Sequence, residues 1–117
     1  TALGGTSFFK PNVDAQTVNQ LVHDSGALGA IEFAARYGFE PGYMNLSSAW
    51  FTHVCTIPPR FNRMIFYDGA IFHSSHILND DLLSTDPSHG RLTLNGFFTC
   101  TRRSGQPPSE APHCRHP

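Results

Sequence analysis

Two histidines three residues apart, His73 and His76, sit in FHSSHI (residues 72–77), and Arg91 opens the run RLTLNGFF. A neutral imidazole is an ordinary ligand for iron or zinc. A guanidinium followed two positions on by the Thr93 hydroxyl suits a carboxylate, because arginine offers a two-pronged donor and threonine adds one more. These residue types suggest a metal and an anion held side by side. Their spacing decides whether that is possible.

FHSS has the aromatic, uncharged character of a strand. On a strand, residues three apart point to opposite faces, so His73 and His76 do not both reach one metal unless the chain turns between them. The pattern is not the helical zinc signature, whose histidines are four apart on one helical face. One of the two is therefore the candidate ligand and the other a bystander, and a hydrogen-bonded core histidine is the competing reading for either. The same alternation sets Arg91, Thr93 and Asn95 on one face of an expected strand and Leu92 and Leu94 on the other, toward a core. The competing reading for Arg91 is a surface arginine, or one paired with Asp80, Asp81 or Asp86.

The remaining histidines offer less. His53 lies in SSAWFTHVCTI (residues 47–57) and could face the same cavity. His23 falls on the polar side of an expected helix, His89 in a loop, and His113 and His116 flank Cys114 near the end, where adventitious metal binding is the most they suggest. Ser74 or Ser75 beside a histidine lacks the strained turn that exposes a nucleophilic serine.

The elements that must position these residues follow from local pattern. Gly4-Gly5 lead into a short strand at TSFF (residues 6–9). A helical stretch runs over about 14–38, with Asp14 as N-cap and Val18, Leu21 and Val22 on one face. Ser25-Gly26 break it, and Gly38 stops it. Strands are expected at 47–57, at NRMIFYD (62–68), at AIFHSS after Gly69, and at RLTLNGFFTCT (91–101), with a polar loop at 78–90 and a flexible tail over 102–117. The expected fold is mainly β with a helical insertion, closing most economically as a jelly roll.

The chain has 117 residues, 39% of them hydrophobic, and ten Phe, three Tyr and one Trp make its core bulky. That suffices for one domain or part of one. A formal charge of −1 with no basic stripe argues against nucleic acid. No uncharged apolar run approaches the roughly 20 residues of a membrane span, and TALGGTSFF does not read as a signal peptide. Three cysteines, Cys55, Cys100 and Cys114, are an odd number without CxxC spacing, so reduced thiols and a cytoplasmic location are expected. The opening residues already read as turn and strand, as in a piece of a longer protein.

Taken in order, GGTSFF, IPPRFNRMIFYDGAIFHSSHI and GRLTLNGFF resemble the C-terminal half of the Fe(II)/2-oxoglutarate-dependent dioxygenase superfamily, nearest to bacterial members of the prolyl-hydroxylase-like kind. The likeness covers about residues 3–9 and 48–100 and leaves the helical insertion outside. It implies a double-stranded β-helix (a jelly roll), with Fe(II) held by an HxD or HxE pair and a distal histidine, and 2-oxoglutarate as co-substrate. It puts the distal histidine on His73, with His76 as the fallback, and the co-substrate clamp on Arg91 with Thr93 as helper. No HxD or HxE occurs in the chain; His23-Asp24 lack the spacer. The resemblance therefore implies an oxygenase fragment that misses half of its iron site, with an unknown small-molecule or peptidyl substrate. The alternatives are a non-enzymatic jelly-roll or cupin-like binding module and an inactive paralogue.

Overall fold

Thr6–Pro11 (β1) is the middle strand of a three-stranded antiparallel sheet in the order β2-β1-β3, where β2 is Phe51–Ile57 and β3 is Phe72–Ser75. The computed structural model describes residues 4–99. Ser7, Phe8 and Phe9 are all buried, as expected of a strand paired on both sides. In register, Thr6 faces Ile57 on one side and Ser75 on the other, and Phe8 faces Cys55 and His73. Between Phe8 and Phe9 the pairing with β2 slips by one residue, from Cys55 to His53, so Val54 bulges out without a partner.

Two helices connect β1 to β2. The first, α1 (Ala15–Ala27), starts where Asp14 accepts a hydrogen bond from the Thr17 amide at 2.9 Å, as a capping aspartate should. The second, α2 (Ala30–Tyr37), ends at Gly38 in the left-handed conformation. The expected break at Ser25-Gly26 lies three residues later, at Leu28-Gly29, because Gly26 is accommodated inside α1. The helices cover one face of the sheet. Phe9, Leu21 and Phe51 form its buried centre, and Phe33, Tyr37, Phe39, Met44, Trp50 and Phe72 close around them. Val22, expected on the packed face with Leu21, is half exposed.

One polar residue is buried under the helices. Asp24 is 4% exposed, and its carboxylate accepts from Tyr37 Oη at 2.7 Å, Gln20 Nε2 at 2.7 Å and Arg36 at 2.8 Å, with His23 Nδ1 at 3.1 Å. This ties α1 to the last turn of α2. The Tyr37 hydroxyl, then His23 and Arg36, hold the carboxyl well below the usual carboxylate range. The Trp50 indole N–H donates to the Tyr37 carbonyl at 2.8 Å and carries the tie onward to β2.

Four expectations need correction. NRMIFYD (62–68) forms no strand: Met64 and Phe66 are 76% and 77% exposed. RLTLNGFF forms no strand over the described residues 91–99, and its leucines face outward, with Leu92 at 84% and Leu94 at 100% exposure. Both runs have strand-like composition, but among the described residues neither finds a neighbour to complete its backbone hydrogen bonds, and composition alone does not make a ladder. The described architecture is accordingly a small mixed fold, one three-stranded sheet with two helices, and not a closed jelly roll. Cys55, 8% exposed on β2, is disulfide-bonded, so the expectation of reduced thiols fails there, and with it the argument for a cytoplasmic location. An odd cysteine count rules out full pairing within the chain but leaves room for one bridge. The expected tail at 102–117 lies outside the described residues, as do Cys100, His113, Cys114 and His116. Among the described residues no helix is long and apolar enough to cross a membrane.

Candidate functional site

Gly4 and Gly5 set the position of β3 and therefore of His73. The His76 amide donates to the Gly5 carbonyl at 3.0 Å, which fastens the end of β3 to the start of β1. His73 lies opposite Phe8 in the ladder. Its ring meets Tyr67 at 4.8 Å, edge to face, and lies 6.5 Å from Phe8, while Phe8 and Tyr67 make their own edge contact at 5.0 Å. Strand alternation places this aromatic group on the sheet face away from Phe9 and Phe51.

The His73 ring has a defined tautomer. Its Nδ1 lies 2.8 Å from the Ile71 carbonyl oxygen, which can only accept, so Nδ1 carries the proton and donates. In the neutral ring Nε2 is then the bare nitrogen, with an in-plane lone pair. A backbone carbonyl on the far nitrogen is the arrangement that orients a metal-binding histidine and raises its basicity. His73 is solvent-exposed. Beside it a groove of about 440 Å³ runs between α1 and the 69–73 segment, lined by Val18, Asn19, Val22 and Ile71 among others, with no charged side chain in its wall.

His76 goes to the other face. Its Nδ1 lies 3.0 Å from the Oγ of the fully buried Ser7, and nothing in the described residues brings it to His73. His53 is also on that face, with its ring 5.4 Å from Phe9 and its Nε2 2.8 Å from Thr56 Oγ1. No group of three or more His, Cys, Asp or Glu side chains comes together as a metal cage among the described residues. His73 thus offers one ligand nitrogen, and a complete iron site needs more than this.

Arg91 is half-buried and follows a tightly folded loop. Within STDPSHG the Asp86 carboxylate accepts from the Ser88 amide at 2.9 Å and from its hydroxyl at 2.5 Å, and His89 Nδ1 lies 2.9 Å away. Those contacts, Ser88 first, lower the Asp86 carboxyl below its ordinary value. The Gly90 amide donates to the Asp86 carbonyl at 2.6 Å. Among the described residues no hydrogen bond or ion pair holds Arg91, so the pairing with Asp80, Asp81 or Asp86 does not form. Thr93 is exposed, outside any strand.

The residue set that the sequence did not suggest is the buried Ser7 with Thr56, His53 and His76. Only the Val54 bulge puts His53 and Thr56, three apart, on one face, and nothing in the sequence announces that bulge.

No curated protein and no solved structure matches the chain. Residues 1–98 match DUF6445, a family of unknown function, over most of the chain's length, and the chain belongs to that family.

Proposed function

We propose that this chain is the C-terminal part of an Fe(II)/2-oxoglutarate-dependent oxygenase, with His73 as the distal iron ligand and Arg91 as the clamp on the far carboxylate of 2-oxoglutarate. The observation that carries it is the His73 ring: Nδ1–H is held by the Ile71 carbonyl and Nε2 is left bare toward solvent, beside an uncharged groove. On this reading the β2-β1-β3 sheet is part of a double-stranded β-helix whose remaining strands the described residues do not include.

The residues fit one corner of such a site. His73 fits a single coordination position; the HxD or HxE pair that would share the metal has no counterpart in these 117 residues. Iron, when bound, supplies the activation of dioxygen, the part of the reaction that side chains do not perform. The chain's own residues bind and orient. Tyr67 and Phe8 fix the imidazole plane, and the Ile71 carbonyl fixes its tautomer. Arg91, with no competing partner among the described residues, is available to a carboxylate, and Thr93 follows two positions on. Val18, Val22 and Ile71 give the groove an apolar wall on one side.

The test is binding of Fe(II) and then 2-oxoglutarate, without oxygen, by the longest natural chain that contains residues 1–117. The reading expects both to bind, iron to be lost in His73→Ala but retained in His76→Ala, and 2-oxoglutarate affinity to fall in Arg91→Ala. Iron loss in His76→Ala alone would transfer the ligand role to His76. Absence of any binding would overturn the oxygenase reading and leave a non-enzymatic binding module or an inactive paralogue.

A further inference from the structure

Four polar side chains form a continuous hydrogen-bonded line across the sheet. His53 Nε2 lies 2.8 Å from Thr56 Oγ1, Thr56 Oγ1 lies 2.8 Å from Ser7 Oγ, and Ser7 Oγ lies 3.0 Å from His76 Nδ1. Ser7, in the middle, is 0% exposed, and the other three are half-buried. Ser7 and Thr56 are direct partners in the β1–β2 ladder, so the central link is built into the register.

Counting protons limits what this line can be. Three hydrogen bonds need three hydrogens, and the two hydroxyls supply one each. The third must come from a ring nitrogen, either His53 Nε2 or His76 Nδ1. If both ring nitrogens carried a proton, the three hydrogen bonds would form but one hydroxyl hydrogen would have no acceptor in the line. If neither did, one hydrogen bond would be missing. A satisfied line therefore has one donor end and one acceptor end, and its two directions exchange when each hydrogen moves one place.

We propose that His53, Thr56, Ser7 and His76 form a proton relay in which the two histidines share one proton through the buried hydroxyls. In one direction His53 Nε2–H donates to Thr56, Thr56 to Ser7, and Ser7 to His76 Nδ1. A proton taken from water at His53 Nδ1 sends the Nε2 proton to Thr56, the threonine proton to Ser7, and the serine proton to His76 Nδ1. His76 then releases its Nε2 proton to water, so one proton enters and one leaves. Both rings change from the Nε2–H to the Nδ1–H tautomer together, and no covalent bond between heavy atoms changes. The outward nitrogens, His53 Nδ1 and His76 Nε2, make no hydrogen bond among the described residues and are free for this exchange. Ser7 is enclosed, which removes it as a nucleophile toward any external substrate but keeps water from interrupting the line.

The test reads His76 while the far end is changed. In protein labelled with 15N at histidine, the two ring nitrogens of His76 report its tautomer, since a change of tautomer moves their signals in opposite directions. His53→Phe, which keeps an aromatic ring beside Phe9, removes the far terminus, and Thr56→Val cuts the line with little change of shape. The relay expects both variants to move the two His76 signals in opposite directions and by similar amounts, although neither residue touches His76. Unchanged His76 signals in both, with a change in Ser7→Ala alone, would reduce the line to a local Ser7–His76 hydrogen bond and overturn the relay. A folded Thr56→Val protein suffices for the decision should His53→Phe fail to fold.

Discussion

Gly4 lies directly under the backbone of His76: a Cβ on Gly4 would come within 1.3 Å of the His76 carbonyl oxygen. Gly4 also has φ +69°, a conformation that residues with a side chain rarely adopt. Neither atom in this contact is at the end of a flexible side chain, so nothing nearby can move aside cheaply. Gly4→Ala is expected to destabilise the chain by about 2 kcal/mol or more, with loss of amide protection concentrated at His76 and in β3. A denaturant midpoint equal to that of the unaltered protein would show that the β1–β3 junction is not packed as described.

Asp24 is expected to be the main source of acid sensitivity in the stability curve. Its carboxyl is held below the ordinary value of 3.8 by Tyr37, then His23 and Arg36. A carboxyl whose folded value is depressed contributes stability that is present above the unfolded value and is lost as pH falls toward the folded one. Asp14, lowered chiefly by the Thr17 amide, and Asp86, lowered chiefly by Ser88, act in the same direction. Stability is therefore expected to fall as pH drops below about 4. In Asp24→Asn the protein should be less stable at pH 7, and its further loss between pH 5 and 2 should be smaller. Denaturant midpoints across that range decide it, and an unaltered acid slope in Asp24→Asn would remove Asp24 as its main source.

The helices and the first strand were legible because their signals are local. Asp14 and Gly38 cap what they were expected to cap, and Gly4-Gly5 precede a strand as expected. The expected strands at 62–68 and over the described residues 91–99 do not form, for the opposite reason: a strand exists only by virtue of its neighbour, which composition does not specify. The separation of His73 from His76 followed from the strand period. The His53–Thr56–Ser7–His76 line did not, because it depends on a one-residue slip at Val54 that strict alternation forbids.

That contrast can be measured at two residues. Phe51 is 5% exposed and lies at the buried centre with Phe9 and Leu21; Phe51→Ala should cost about 3–5 kcal/mol. Leu94, which a packed C-terminal strand would bury, is 100% exposed. Leu94→Ser in the 117-residue chain should change stability by no more than about 0.5 kcal/mol. A Leu94→Ser cost close to that of Phe51→Ala would restore the 91–101 strand to the core.

Gly90 is the structural support of Arg91. A Cβ there would fall 2.3 Å from the Ser84 carbonyl oxygen and 3.0 Å from that of Asp86, both of them backbone atoms. The turn closed by the Gly90 amide and the Asp86 carbonyl would have to open, and Arg91 would move with it. If Arg91 clamps a carboxylate, Arg91→Ala should weaken 2-oxoglutarate binding roughly 10- to 100-fold, the worth of hydrogen bonds to a charged group. Gly90→Ala should weaken it by a smaller factor while leaving Fe(II) binding at His73 unchanged, because the loop and β3 are separate supports. Titration of each variant with Fe(II) and then with 2-oxoglutarate, in the absence of oxygen, separates the two effects. An Arg91→Ala protein that binds 2-oxoglutarate as tightly as the unaltered one would end the clamp assignment. A Gly90→Ala protein that loses iron along with 2-oxoglutarate would show that the loop and the His73 strand are not independent.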